Sequence, residues 1–121
     1  MARLKLKIQL YCGDEIAMGP GKADLLEAIA REGSISGAGR AMGMSYRRAW
    51  LLVDTMNRCF HAPLVEARPG GGQAAGARLT SAGEAALAAY HALSDQVAKG
   101  AAGPDFVTLE TAIRSQPLPQ G

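Results

Sequence analysis

Aromatic residues are scarce in this chain, with one Trp, three Tyr and two Phe, and so is any excess of charge. The formal net charge is only +2, from 13 basic and 11 acidic residues. A cationic footprint for a polyanion therefore cannot be a property of the whole surface and has to be local. Cysteine is limited to Cys12 and Cys59, far apart in sequence and outside any CxxC spacing. That excludes a zinc cluster or a disulfide framework as the organising element, and two lone thiols suit a reducing cytosol. The histidines His61 and His91 belong to no HExxH, metal-like cluster or nucleophile elbow, and Asp14-Glu15 reads as turn chemistry. An enzyme is the least supported class, and no cofactor or metal is implied. The opening residues MARLKLKIQLY interrupt every apolar run with charge, so neither a signal-peptide core nor a membrane span is expected, and the expected location is the cytoplasm.

What is present is the composition of a globular protein, 48% hydrophobic and 20% charged, in a length that suits one domain and a tail. From Arg3 to Leu10 polar and apolar residues alternate, which predicts a half-buried strand. Cys12 to Glu15 reads as a turn, and Ile16-Ala17-Met18 as a short strand pairing back before Gly19-Pro20-Gly21. Leu25, Leu26 and Ile29 recur at helical spacing from Lys22 to Glu32, and Gly33 supplies the stop. Ser36 reads as the cap of a short second helix through Met42, Gly43 as a tight turn, and Ser45 as the cap of a third helix whose buried stripe is Ala49, Leu52, Val53 and Met56. Helix, short helix, glycine turn and longer helix is the helix-turn-helix order.

Leu64 to Ala67 and Ala77 to Thr80 have strand character on either side of a glycine-rich tip, the pattern of a wing. Thr80 or Ser81 then caps a last, Ala-rich helix that carries Leu87, Tyr90, Leu93 and Val97 to Gly100 and suits packing or dimerisation. The predicted class is mainly α with a small antiparallel β-sheet: a winged helix-turn-helix with an N-terminal strand and a long C-terminal dimerisation helix. Its expected divisions are an N-terminal strand or hairpin over 1–20, the DNA-binding unit over 21–100, and a partly disordered tail over 101–121 with one short ordered piece at Phe106 to Ile113.

A recognition helix presents its first residues to the major groove, where small, polar and basic side chains are useful. Ser45, Tyr46, Arg47 and Arg48 meet that requirement, and arginine can donate two hydrogen bonds to guanine or pair with phosphate. Two adjacent arginines alone would be an ordinary solvated face; the surrounding pattern gives them meaning. Trp50 reads mainly as a packing residue that wedges the recognition helix against the wing or the first helix. Tyr46 is divided between packing and reaching a phosphate or base edge. The wing contributes Arg68 and Arg78 at its bases and Gln73 near its tip. With Ser36 these form the DNA-binding set read from the sequence: Ser36, Ser45, Tyr46, Arg47, Arg48, Arg68, Gln73 and Arg78.

The run GSISGAGRAMGMSYRRAW, then MN, then LVEARPGGGQAAGARLTSAGE, closely resembles the DNA-binding domain of the ModE-type molybdate-responsive transcriptional regulators, and more distantly the lysR-type winged helix-turn-helix. The resemblance runs from about Gly19 to Val97. It implies a repressor-type regulator of molybdenum-related genes that binds duplex DNA as a homodimer on a palindromic operator, with contacts at Ser45, Tyr46, Arg47 and Arg48. Where that family commonly has arginine after the glutamate of LVER and a lysine in the wing, this chain has Ala67 and Gly72. No stretch resembles the family's SARN-type molybdate-binding domains. Control without sensing molybdate and recruitment of a separate molybdate-sensing partner both stay open. Two rival readings are a winged-helix protein-interaction module without DNA binding, and direct oxyanion sensing at the wing or a helix start.

Overall fold

The computed structural model describes residues 2–68 and 76–121. Among them the elements run β1 (Leu10–Cys12), β2 (Glu15–Met18), α1 (Pro20–Glu32), α2 (Ile35–Ala41), α3 (Tyr46–Cys59), β3 (Val65–Arg68), β4 (Gly76–Leu79), α4 (Ser81–Ala101) and α5 (Pro104–Ala112). The strands form two separate antiparallel pairs, β1 with β2 and β3 with β4. A mainly helical chain with α2 and α3 in helix-turn-helix order and a β3–β4 hairpin behind them is the winged helix-turn-helix architecture.

Each helix of the central trio has a local cause. Pro20 opens α1 with a fixed φ and no N–H to leave unpaired. Gly33 closes it in the left-handed region at φ 75°, its N–H bonded to the Ile29 carbonyl at 2.8 Å. Between them Ala23, Leu25, Leu26, Ala28 and Ile29 are buried. The Oγ of Ser34 accepts the Gly37 N–H at 2.9 Å and starts α2, and that of Ser45 accepts the Arg48 N–H at 3.1 Å and starts α3. The turn between α2 and α3 passes through Gly43 at φ 70°.

The largest fully buried side chains are Leu25, Leu26, Ile29, Met56 and Leu64, so the core lies between α1, the inner face of α3 and the start of the wing. Each such side chain is worth about 1.5–3 kcal/mol on burial, against about 0–1 kcal/mol for an exposed ion pair. Apolar contact therefore sets the arrangement, and the exposed pairs Arg58–Glu15 at 3.0 Å and Arg58–Asp54 at 2.9 Å trim it. The Arg58 guanidinium holds the Glu15 carboxyl below its ordinary range. Its small contribution is present at neutral pH and is lost as the pH falls through that depressed range.

Helix α4 starts at Thr80, whose Oγ1 accepts the Gly83 N–H at 3.0 Å. Its contacts reach the far end of the chain: Tyr90 donates its hydroxyl to the Ile8 carbonyl at 2.8 Å, and His91 pairs with Glu27 of α1. The expected ordered piece of the tail is α5.

Two expectations are corrected. The alternating segment from Arg3 is not a strand until Leu10, and Leu4 and Leu6 are exposed. Alternation makes a strand only where an edge is on offer, and β2, four residues long, spends its edge on Leu10–Cys12. The cap of α2 is Ser34; Ser36 lies inside the first turn, where its Oγ accepts from Arg40 at 3.0 Å. The Ser34 hydroxyl reaches the third residue on, which is the capping reach.

A Cβ on Gly83 would lie 2.1 Å from the Leu64 carbonyl oxygen, whereas one on Gly100, also within α4, meets nothing within 4 Å. Gly83→Ala is expected to destabilise the fold by about 1–3 kcal/mol through overpacking against backbone. Gly100→Ala should be neutral or stabilising by at most about 1 kcal/mol. Urea unfolding of the two variants beside the parent checks the contrast.

Candidate nucleic-acid interface

Helix α3 buries Ala49, Val53 and Met56, which recur along one face. Leu52 and Asn57 beside that face are half-buried, and Ser45, Tyr46, Arg47 and Arg48 are all exposed at the start of the helix. Close approach of α2 holds the helix there: a Cβ on Gly39 would sit 3.3 Å from the Met44 carbonyl oxygen and 3.4 Å from the Ala49 Cβ. The Met44 N–H donates to the Gly39 carbonyl at 2.9 Å, which closes the turn. The first turn of α3 thus combines backbone N–H groups directed outward, the positive end of a helix dipole and two arginines that form no ion pair among the described residues.

Trp50 is corrected from a wedge to a surface residue. It is 46% exposed and, with Tyr46 and Arg47, lines a shallow recess of about 260 Å³. Trp50 stands about a quarter turn from the Ala49–Val53–Met56 stripe, too far round to enter the core. One face of α3 therefore offers a guanidinium and two aromatic side chains around one recess. Lys22 lies in the first turn of α1. Burial, with Cys59 and Glu15 opposing and the Arg48 charge assisting, lowers its pKa.

The wing is fixed to this unit by backbone contacts. The Asn57 Oδ1 accepts the N–H groups of Leu64 at 2.8 Å and Val65 at 3.2 Å, and its Nδ2 donates to the Val65 carbonyl at 3.0 Å. One side chain on α3 thus sets where β3 begins. The Ala77 N–H donates to the Gly33 carbonyl at 2.9 Å, tying β4 to the end of α1. The hairpin register is Val65 opposite Leu79, Glu66 opposite Arg78, Ala67 opposite Ala77 and Arg68 opposite Gly76.

Among the sequence-derived wing residues, Arg68 is exposed at the base, and Arg78 is exposed but paired with Glu66 across the strands at 3.1 Å. Both line a recess of about 220 Å³ with Glu66 and Ala67. Gln73 and the glycine-rich tip lie outside the described residues. Ser36 is partly buried and bonded to Arg40, so it is set apart from the cluster at Ser45–Arg48. Asn57 had a place in the sequence pattern as part of MN but no role; the signal was a polar residue next to the buried Met56 on a helix that leads directly into a strand.

Comparison with known proteins gives the same segment. Residues 22–84 match the bacterial regulatory helix-turn-helix protein, lysR family. The chain is 48% identical over 82 residues to the molybdenum-pterin-binding protein MopA of Rhodobacter capsulatus, covering 68% of this chain and 31% of that protein. It is 44% identical over 77 residues to the molybdenum transport protein ModE of Azotobacter vinelandii, covering 64% and 28%. Against the DNA-binding transcriptional dual regulator ModE of Escherichia coli K12 the identity is 35% over 91 residues, covering 75% and 33%. The matched region spans about a third of the length of these curated relatives.

Asn57→Ala leaves two backbone N–H groups and a carbonyl without their partner at the α3–β3 junction. It is expected to cost about 1–3 kcal/mol. Asn57→Asp, which keeps the acceptor and loses the donor, should cost less. Thermal unfolding of both variants checks the order.

Proposed function

Because the chain belongs to the lysR family of bacterial regulatory helix-turn-helix proteins, we propose that Ser45 to Trp50 of α3 read the major groove of an operator that controls molybdenum-related genes. The observation that carries this reading is the exposed first turn of α3, with Arg47 and Arg48 in no ion pair among the described residues and Tyr46 and Trp50 beside them. Arg47 donates to a base edge, and the neighbouring Tyr46 and Trp50 rings offer apolar contact to a thymine methyl. Arg48 neutralises phosphate. Arg68 at the wing base makes the second backbone contact, and Arg78 contributes less because Glu66 already satisfies its charge. The molybdenum assignment rests on the names of the relatives MopA and ModE.

We further infer a homodimer acting in the cytoplasm. Support comes from apolar surface left in solvent. Leu93 and Val97 of α4 are exposed, as are Leu4 and Leu6 of the segment whose strand pattern has no partner strand among the described residues. An apolar groove of about 330 Å³ is lined by Ile8, Leu10, Phe60, Tyr90 and Leu93. A second copy covering these residues would set two α3 helices facing one side of a duplex, which calls for two half-sites.

The test is selection of duplexes from a random library followed by titration of variants. The expected product is a palindrome whose affinity falls steeply with salt. Arg47→Ala and Trp50→Ala should each weaken binding to it by about 1–3 kcal/mol and relax discrimination at one base pair. Arg48→Ala should weaken all duplexes alike and reduce the salt slope by about one. Absence of any duplex affinity would favour a protein-interaction module instead, and a single half-site would remove the dimer.

A further inference from the structure

The fold brings together the two cysteines that the sequence keeps apart. Cys12 ends β1 and is paired in register with Glu15 of β2, while Cys59 ends α3. The Cys59 thiol donates to the same Glu15 carboxylate at 4.0 Å, and the Cys12 thiol is among the neighbours that push the Cys59 thiol up. Glu15 is in turn held by Arg58, its carboxylate oxygens accepting at 3.0 Å and 3.2 Å. Cys12 and Cys59 therefore flank one residue, Glu15, facing Cys12 across the hairpin and reached at its carboxylate by Cys59. Cys12 is exposed and Cys59 half-buried, so a solvent-borne reagent meets Cys12 first.

We propose that Cys12 and Cys59 form a reversible dithiol–disulfide pair, oxidised by a low-molecular-weight disulfide, that fastens the β1–β2 hairpin to the C-terminal end of the recognition helix. The Cys12 thiolate attacks one sulfur of glutathione disulfide, forming a mixed disulfide and expelling one glutathione thiolate. Cys59 loses its proton to solvent and attacks the Cys12 sulfur, and the second glutathione thiolate leaves. Two protein thiols are oxidised to one disulfide and one glutathione disulfide is reduced to two glutathiones, so atoms and electrons balance. Burial and the neighbouring Cys12 thiol push the Cys59 thiol up, which suits it to the second, intramolecular step, where proximity compensates for a small thiolate fraction.

The bond would close a loop containing β2, α1, α2 and α3, and it lies at the end of α3 remote from its DNA-facing turn. Cys59 lies nine residues along the helix from Trp50, about 13 Å. Oxidation should therefore raise the melting temperature while leaving duplex affinity within about twofold, since sites that far apart act nearly independently.

The test equilibrates the full chain in glutathione buffers of increasing oxidised fraction, quenches with acid, and reads intact mass and thiol count. Loss of two hydrogens with both thiols gone, in a monomeric chain whose melting temperature rises, is the expected result. Cys12→Ser and Cys59→Ser should instead gain one glutathione and show no such rise. Wild-type protein that carries glutathione adducts, links to a second chain, or keeps two free thiols under the most oxidising buffer would overturn the proposal.

Discussion

A helix buried on one side only is the constraint on which the molecule depends. Helix α3 gives Ala49, Val53 and Met56 to the core and nothing else on its first turns. Because Ala49 is small and faces Gly39, α2 approaches closely and the start of the helix is held on its inner face. Every side chain that could read a base edge is thereby left outside, on a support made rigid by Leu25, Leu26 and Ile29 of α1. A larger residue at Gly39 or Ala49 would push α3 outward and move all of its outward-facing groups together.

The wing is held differently. Its base buries Leu64, Val65 and Ala77 in the same core, and backbone groups add to that hold: Leu64 and Val65 on Asn57, Ala77 on the Gly33 carbonyl, and Thr80 on the Pro63 and Leu64 carbonyls. The same Leu64 carbonyl excludes any side chain at Gly83, so the start of α4 is fixed by the wing's own base. Recognition helix, wing and C-terminal helix are thus coupled through residues 57 to 83. A change at Asn57 or Gly83 would act on DNA binding through position, without either residue touching DNA.

Much of this was legible in the sequence because it rests on local rules. Leu25, Leu26 and Ile29 announced α1, Gly33 its end, Ser45 and Thr80 the starts of α3 and α4, and the run at Ser45 to Arg48 the outward turn. The losses were of information that is not local. Alternation from Arg3 to Leu10 does not say whether an edge is available to pair with, and only Leu10 joined a strand. The tryptophan at position 50 reads as core by its type, yet a quarter turn of helix puts it in solvent. Ser34 and Ser36 are equally good caps by type, and the N–H of Gly37 chose Ser34. Cys12 and Cys59 were treated as lone thiols because sequence distance hides the meeting of a hairpin with the end of a helix.

Electrostatics decide less of the fold than of the recognition. Most charged side chains near α3 are already engaged, Arg58 by Glu15 and Asp54 and Arg78 by Glu66, which leaves Arg47, Arg48 and Arg68 as cations without an ion-pair partner among the described residues. With a net charge of only +2, attraction for a duplex has to come from that small patch and the helix start behind it. The most direct measurement is a titration of the isotope-labelled chain with a selected duplex, following each backbone amide by nuclear magnetic resonance. The account predicts that the largest shifts fall on Ser45 to Trp50, with a second set at the wing base around Arg68. Shifts confined to α4 and the groove beside Ile8, with the amides of Ser45 to Trp50 unmoved, would contradict it.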